Sequence, residues 1–388
     1  MSTLKVDGIR SNSASSDAIT LAGDGTCTAN ITNNLSNRNL IINGAMQVAQ
    51  RGTSQTGVNS SGYKNACDRW RYNASGANIG TYTVSQSTTS PDGFGNSLKV
   101  DCTTARTPSS NEMYEVEQRL EGLDLQSLAK GTSASKKLSV SFYVKTNVSG
   151  NYIVWLFDAD NSRSVGAVYT VSDSNWNRYT VSFPADTSGG LDNDNARSLD
   201  LRFVLLAGTD FTSGTLNTTA WATTTNANSR AGQTANVASS TDNEWYLTGV
   251  QLEVDNTGSG VATDFEHRSF GDELAKCQRY YYRTTPLNLG FFGVGNVDGS
   301  NQSQILITFP TQMRSKPTSL ETTGTAAQYA LRVSTNATCS SVPAIGNTTT
   351  VNAICEFNST SHGFTSGHAA FGRSLSDAAF LGFAGAEL

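Results

Sequence analysis

The stretch KLSVSFYVK, residues 137–145, decides the fold because its apolar and polar side chains alternate strictly. Its apolar residues share one face: Leu138, Val140, Phe142 and Val144. A period of two is typical of a strand that buries one face and turns the other toward water. The stretch therefore predicts a half-buried β-strand.

Further strand patterns lie around it. The clearest are NYIVWLFD (151–158), NWNRYTVSF (175–183), SLDLRFVLLAG (198–208) and EWYLTGVQLEV (244–254). Turn-forming clusters separate them, and only GLDLQSLAKG (122–131) has the pattern of a short helix. Short strands with turn signals between them indicate a sandwich of the jelly-roll type, which we place at residues 39–267.

The composition favours an all-β protein. Charged residues make up 15% of the 388 residues, well below the roughly 25% of ordinary soluble domains. Thr, Ser, Asn and Gly take their place; Thr suits strands, and the other three suit the turns between them.

The same sequence argues against several partners. The net charge is −5 with no basic block, so we expect no nucleic acid partner. No run of 18 apolar residues is present, so we expect no membrane insertion. The six cysteines lack metal-ligand spacing and are predicted to be free thiols. Neither a metal site nor a cofactor is predicted.

The densest cluster of charge and tyrosine is FEHRSFGDELAKCQRYYYR, residues 265–283. Ser269 can cap a helix there, with Asp272 three residues later. The apolar residues of this helix form one stripe: Phe270, Leu274, Cys277 and Tyr281. We therefore predict a helical junction at residues 268–284. Its stripe must be buried against a sheet, a neighbouring helix or copies of itself in an oligomer.

The segments on either side of these regions differ in character. Residues 1–38 are too sparse in apolar side chains for a core, so we predict an extended segment, either disordered or ordered by other chains. Residues 285–388 carry a second set of strand patterns, such as QILITFP (304–310), and we predict a C-terminal β-sandwich. Within it, FNSTSHGFTSGHAAFG (357–372) is predicted to be a long loop.

Three stretches together carry a resemblance to a known family. They are NLIINGAMQVAQRG (39–52) followed by DRW (68–70), the stretch from WYLTGVQLEV to CQRYYYR (245–283), and FPTQMRSKPT (309–318) with the terminal AEL (386–388). Together they resemble the tail-fibre and related receptor-binding proteins of tailed bacteriophages, particularly phages of marine bacteria.

The resemblance implies an architecture and a role. A jelly roll like those of carbohydrate-binding modules leads through the helical junction to a receptor-binding β-sandwich tip. The chain would form a homotrimer on the virion after synthesis in the bacterial host cytoplasm. Its N-terminal segment would attach to a tail or head protein, and its C-terminal tip would bind a host cell-surface glycan or protein. Two alternatives stay open: a head fibre or capsid decoration protein, and a polysaccharide depolymerase spike.

In this interpretation the helix holds three chains together. The stripe residues Phe270, Leu274, Cys277 and Tyr281 would pack at the threefold junction. Charged residues would form ion pairs across it, since long amphipathic side chains are enriched at interfaces. They are Arg268, Glu273 and Arg279, together with Glu266, Asp272 and Lys276.

Candidates for ligand contact are rings in polar segments, because a sugar packs on an aromatic face beside hydrogen-bonding groups. Trp221, in NTTAWATTTNAN (217–228), is either an exposed platform or tucked under its loop. The others lie in the predicted loop 357–372: His362, Phe364, His368 and Phe371. These four either bind a ligand or serve as loop anchors and polar surface groups. The H-x-H pairs that hold iron in some fibre tips have no counterpart here.

No catalytic residue is predicted, and we expect a binding protein. Glu115 and Glu117 share a strand face, and glycoside cleavage needs two facing carboxyl groups. No catalytic motif accompanies them, so we interpret them as solvated surface acids. The sequence DADN (158–161) resembles part of a calcium loop but lacks the Gly and distant Glu of an EF-hand, which leaves structural calcium open.

Overall fold

The structure, a computed structural model of the chain, describes residues 6–13, 15, 17–29, 37–77, 79–255, 260–360 and 364–388. It is 42% strand and 8% helix, which confirms the all-β prediction. In the predicted N-terminal segment, three short strands form a small sheet: β1 (Gly8–Ile9), β2 (Ile19–Leu21) and β3 (Cys27–Ala29).

The next thirteen strands build a two-sheet sandwich, here called the first sandwich. They are β4 (Ser54–Val58), β5 (Gly62–Tyr63), β6 (Arg71–Ser75), β7 (Thr81–Ser87), β8 (Ser97–Thr104), β9 (Met113–Glu121), β10 (Lys137–Thr146), β11 (Gly150–Asp158), β12 (Arg163–Val171), β13 (Asn177–Phe183), β14 (Arg197–Ala207), β15 (Ala222–Thr223) and β16 (Glu244–Asp255). One sheet has the order β13-β10-β16-β8-β7-β4, and the other has the order β15-β12-β11-β14-β9-β6-β5. The predicted jelly-roll sandwich is confirmed.

Strand β10 contains the KLSVSFYVK stretch and lies between β13 and β16. The apolar face enters the core as predicted, with Phe142 fully buried. The opposite face is also largely covered, because residues 260–267 lie over the neighbouring strand β16. There Glu253 accepts a hydrogen bond from the backbone N–H of Thr263 at 2.7 Å. This cover explains why Ser139 and Ser141 are buried rather than half-exposed.

Helices in the first sandwich are short. The predicted segment at 122–131 contains a 3-10 helix, Gly122–Leu128, which ends at Ala129 in a left-handed conformation with φ 46°. The structure adds two single-turn helices, α1 (Thr209–Thr212) and α2 (Asn226–Ser229). One further 3-10 turn of the first sandwich spans Val237–Ser239, and another, Ala326–Gln328, lies in the C-terminal region.

The remaining strands form a second sandwich. They are β17 (Tyr282–Thr284), β18 (Phe291–Val297), β19 (Gln302–Thr308), β20 (Ser319–Glu321), β21 (Tyr329–Arg332), β22 (Asn336–Thr338), β23 (Ala344–Thr348), β24 (Asn352–Asn358), β25 (Ala369–Ser374) and β26 (Leu381–Ala384). A three-stranded sheet, β17-β26-β20, faces a seven-stranded sheet, β22-β21-β25-β18-β19-β24-β23. The C-terminal β-sandwich is confirmed. Strand β17 lies within the predicted junction 268–284 and pairs with β26.

Between the sandwiches lies helix α3 (Phe270–Gln278). Ser269 caps it, since its hydroxyl accepts a hydrogen bond from the N–H of Asp272 at 3.2 Å. The apolar stripe is buried only in part: Cys277 is buried and Leu274 is half-buried, but Phe270 is 56% exposed. The helix is therefore amphipathic as predicted, with one apolar residue left in solvent.

Much of the helix packs within its own chain, against residues 37–51. Its apolar partners there are Ile42 and Val48, which share a cluster with Cys277 and Leu274. A polar contact joins the same two segments: Arg268, just before the helix, donates to the carbonyl of Ile41 at 3.0 Å.

The charged residues assigned to a threefold junction also find partners within the single chain. Arg268 lies 3.6 Å from both Glu266 and Glu273. Arg279 donates two hydrogen bonds, at 2.8 and 2.7 Å, to Glu121 at the end of β9. The Arg279 pair therefore fastens the helix to its own first sandwich, and the Arg268 pairs form within the junction, so neither requires a neighbouring copy.

A buried arginine joins the two sandwiches. Arg51 donates two hydrogen bonds to Glu387, at 2.6 and 2.7 Å, and one to Glu321 at 3.2 Å. Its guanidinium carbon lies 3.8 Å from the ring centre of Tyr281, whose hydroxyl also donates to Glu321 at 2.8 Å. We call Arg51, Tyr281, Glu321 and Glu387 the clasp. Gly382 is required beside it, because a Cβ there would lie 2.3 Å from the Tyr281 hydroxyl oxygen.

The stretches that carry the family resemblance converge around the clasp. Arg69, of DRW, stacks 3.4 Å from the ring centre of Tyr280. Arg314, of FPTQMRSKPT, donates to the carbonyls of Ala386 and Glu387 at 2.6 and 2.9 Å. These separate stretches therefore form one structural unit.

We expect Arg51→Met to lower the free energy of unfolding by about 3–5 kcal/mol, because it leaves Glu387 as an uncompensated buried charge. Urea unfolding followed by tryptophan fluorescence measures the effect. Arg106→Met is the matched control, since the side chain of Arg106 is exposed. Equal stability of the two variants would show that the clasp does not hold the sandwiches together.

Asp68 gives a second prediction, on pH. Burial raises the pKa of Asp68 to about 6, although hydrogen bonds from Gln50 oppose the shift. The folded chain therefore retains a proton that the unfolded chain releases near pH 4, so stability is lost as pH rises from about 4 to about 6. The expected loss is about 3 kcal/mol. The free energy of unfolding of Asp68→Asn should show no such loss between about pH 4 and about pH 6. That of Asp92→Asn, at an exposed site, should fall as in the wild type.

Candidate functional site

Trp221 is not an exposed platform. The structure shows the other alternative, a side chain tucked under its loop. Trp221 is only 7% exposed, and its Nε1–H donates to the carbonyl of Pro184 at 2.8 Å. The ammonium of Lys130 lies 4.9 Å from the ring centre and pairs with both Asp158 and Asp186. Trp221 therefore covers a buried ion-pair cluster.

The same cluster bears on the calcium question. Asp158, the first residue of DADN, is fully buried and accepts hydrogen bonds from Lys130 and from the backbone N–H of Asn161. The lysine ammonium thus provides the positive charge beside this carboxylate. The described residues contain no group of three or more His, Cys, Asp or Glu side chains arranged to hold a metal ion.

The four candidates of the predicted loop 357–372 separate in the structure. His362 lies outside the described residues. Phe364 packs against the second core, which agrees with the loop-anchor alternative, and His368 is exposed. Phe371 is not in a loop: it belongs to strand β25, paired with β18 and β21. The Gly- and Ser-rich composition suggested a loop. In this strand, however, the small residues occupy the inward-facing positions.

Phe371 begins an apolar row on the outward face of the second sandwich. Strand register places Phe371 beside Val294, Val294 beside Leu306, and Leu306 beside Ile354. The first three of these are 38%, 51% and 40% exposed. Next to the row, Phe291 is 49% exposed and its ring lies 5.0 Å from that of Phe371. We call Phe291, Val294, Leu306 and Phe371 the platform.

Hydrogen-bonding groups line one edge of the platform. The adjacent register row contains Asn296, Gln304 and Glu356, from strands β18, β19 and β24. Amide and carboxylate groups of this kind can donate to and accept from hydroxyl groups of a ligand.

The opposite edge carries positive charge. The guanidinium carbon of Arg373 lies 5.3 Å from the ring centre of Phe291, and Arg373 donates to the side-chain oxygen of Asn336 at 2.8 Å. The platform is thus a contiguous apolar surface with a polar rim, the arrangement that marks interaction sites on proteins.

Glu115 and Glu117 are not solvated surface acids. Both are fully buried on the outward face of β9 and are held by arginines. Glu115 accepts from Arg230 at 2.7 Å, and Glu117 accepts from Arg71 at 2.6 Å. Although burial raises the pKa of Glu115, Arg230 and Arg202 outweigh it, and the pKa is lowered. A carboxyl group in this state holds no proton for general acid catalysis near neutral pH.

Two further features concern the rest of the described chain. Its helices are all too short or too polar to cross a membrane. The five cysteines whose side chains the structure describes are buried and unpaired, as expected: Cys67, Cys102, Cys277, Cys339 and Cys355.

Comparisons with known protein families and with curated proteins found no match. Among solved structures, the chain is similar to the enzymatically active domain of tailspike protein 4 of bacteriophage CBA120, with 10% identity, 56% of this chain and 21% of that chain covered, and a TM-score of 0.28. It is similar to a family 11 carbohydrate-binding module from Clostridium thermocellum, with 14% identity, 50% and 96% covered, and a TM-score of 0.25. A cyclase from Fischerella sp. gives 11% identity, 57% and 98% covered, and a TM-score of 0.31. At these TM-scores the likenesses are slight.

Proposed function

We propose that this chain is an adhesin of a tailed-bacteriophage virion that binds a host cell-surface glycan. The observation that carries the proposal is the platform. Its exposed rings and branched side chains have no covering layer within the described chain, and a binding partner would remove this apolar surface from water.

The chemistry of the platform suits a sugar. The C–H-rich side of a pyranose can pack on Phe371 or Phe291, while its hydroxyl groups reach the amides of Asn296 and Gln304. Arg373 adds donors at the opposite edge. Because the pKa of Glu115 is lowered, its carboxyl group is ionised near neutral pH and has no proton to donate to a leaving group. This favours sugar binding over sugar cleavage.

The virion assignment rests on the resemblance described above. In this proposal the N-terminal segment attaches to a tail or head protein, and three copies present their platforms to the host. Three weak sugar contacts on one fibre raise the overall avidity by about 10²–10⁴ where the geometry allows all three to bind. A head fibre would use the same platform from a different position on the particle.

The platform gives a direct binding test. Wild-type chain is first screened on an array of bacterial surface glycans, and the best ligand is then titrated by calorimetry. We expect Phe371→Ala and Val294→Ser each to weaken binding about tenfold, equivalent to about 1.4 kcal/mol. The cause is lost apolar contact with the sugar ring.

Val168→Ser is the matched control, because Val168 is a strand valine of the first sandwich with 42% exposure. It should bind like the wild type. Undiminished binding by both platform variants would refute the site. If the chain instead binds envelope proteins and no glycan, the receptor is a protein.

The homotrimer has its own test. Light scattering after size exclusion should give about three times 41.2 kDa. Phe270→Asp should yield folded monomers, because Phe270 is 56% exposed in the single chain and would be covered only between copies. Leu274→Asp should instead lower the melting temperature, since Leu274 packs against Ile42 and Val48. A monomeric wild type would contradict the trimer.

A further inference from the structure

The outward face of the seven-stranded sheet in the first sandwich carries a pattern of charge fixed by strand register. Arg71 on β6 lies beside Glu117 on β9, and Glu117 lies beside Arg202 on β14. One step along the strands, Asp200 lies beside Arg119. Opposite charges therefore meet across neighbouring strands, which is the favourable arrangement of cross-strand pairs.

Positive charge exceeds negative charge in this network. Its ion pairs join five guanidinium groups to three carboxylates: Arg71, Arg119, Arg197, Arg202 and Arg230 with Glu115, Glu117 and Asp200. All three carboxylates are fully buried. The side chains of Arg71, Arg119 and Arg197 stay 16%, 17% and 28% exposed, so the uncompensated charge reaches solvent through them. We call these three arginines the cradle.

Two cradle residues keep unused donors. Arg119 donates only through Nε, and Arg71 only through Nη1, to the same carboxylate oxygen of Glu117 at 2.9 and 2.6 Å. A guanidinium group has five N–H donors, and the remaining ones have no acceptor within the described chain. Sharing one oxygen fixes the two cations side by side.

This arrangement places Arg119 in an unfavourable field. Burial lowers the pKa of Arg119, and the neighbouring Arg197 and Arg71 lower it further, against the opposing effect of Glu117. An anion bound across Arg71 and Arg119 would relieve their mutual repulsion and accept the unused N–H groups.

An aromatic ring lies beside the cradle. Phe157 on β11 is half-buried and pairs in register with Asp200, which in turn pairs with Arg119. The backbone positions of Phe157 and Arg119 are therefore two strand spacings, ~10 Å, apart. The ring centre of Phe157 lies 5.4 Å from the guanidinium carbon of Arg197. A sugar ring could contact Phe157 while its charged substituent reaches the cradle.

We propose that the cradle binds an oxyanion, a carboxylate, sulfate or phosphate group, carried by an acidic saccharide. The planar fork of arginine matches two oxygens of such a group, which a point charge does not. This site is distinct from the platform, on the other sandwich and with the opposite chemistry. It stands whether or not the platform binds a glycan.

The test uses the full chain at constant ionic strength. Calorimetry with oligogalacturonate, and with neutral oligogalactose as the matched sugar, should show binding of the acidic oligomer only. Arg119→Gln and Arg71→Gln should each weaken it about tenfold, and added salt should weaken it in the wild type. Arg106→Gln, at an exposed site away from the cradle, and Val294→Ser, on the platform, should bind like the wild type.

Inorganic sulfate and phosphate test the two other oxyanions, without a saccharide attached. Either ion should raise the melting temperature of the wild type more than that of Arg119→Gln at equal ionic strength. If the Gln variant does not fold, Arg119→Lys keeps the charge beside Glu117 but loses the fork, and it should show the same loss of binding. The proposal is overturned if the wild type binds none of the three anions, or if a folded cradle variant binds them unchanged.

Discussion

The buried guanidinium group of Arg51 is the interaction on which the rest of the structure depends. Removing a cation from water is costly unless its partners are close and hydrogen-bonded. Here the partners come from separate segments: Glu321 from strand β20, Glu387 from the last residues, and the ring of Tyr281 from just beyond the helix. The three hydrogen bonds and the ring contact of this guanidinium form only when all three partners are in place. The two sandwiches and the helix therefore assemble as one unit.

Local periodicity predicted the elements but not their partners. Alternation in β10 and the cap at Ser269 depend on neighbours in sequence, so both could be inferred from sequence. The burial of the helix could not, because its partners lie far upstream: the backbone N–H of Asn43 binds Glu273, 230 residues away. An apolar stripe predicts that some surface covers the helix. It does not distinguish a partner in the same chain from a neighbouring copy.

Apart from Phe371, the two candidate surfaces were not apparent in the sequence, for a similar reason. The cradle assembles arginines from three strands, so no basic block appears in the sequence, and register alone brings Arg71 and Arg119 to one carboxylate. In β25 the usual pattern is reversed, with a large ring outward and small residues inward. Gly372 leaves room for the ring of Phe357, since a Cβ there would lie 2.9 Å from it. A strand of this kind has the composition of a loop.

Both outward faces present side chains that neither the cores nor the clasp employ, and the chemistry of the two faces differs. The apolar platform suits the C–H face of a sugar ring, and the cationic cradle suits an acidic substituent. Because the clasp fastens the two sandwiches to each other, the two proposed sites keep a fixed separation, with no flexible linker between them. A fixed separation favours a ligand that reaches both proposed sites, because no linker entropy is lost when the second site is occupied.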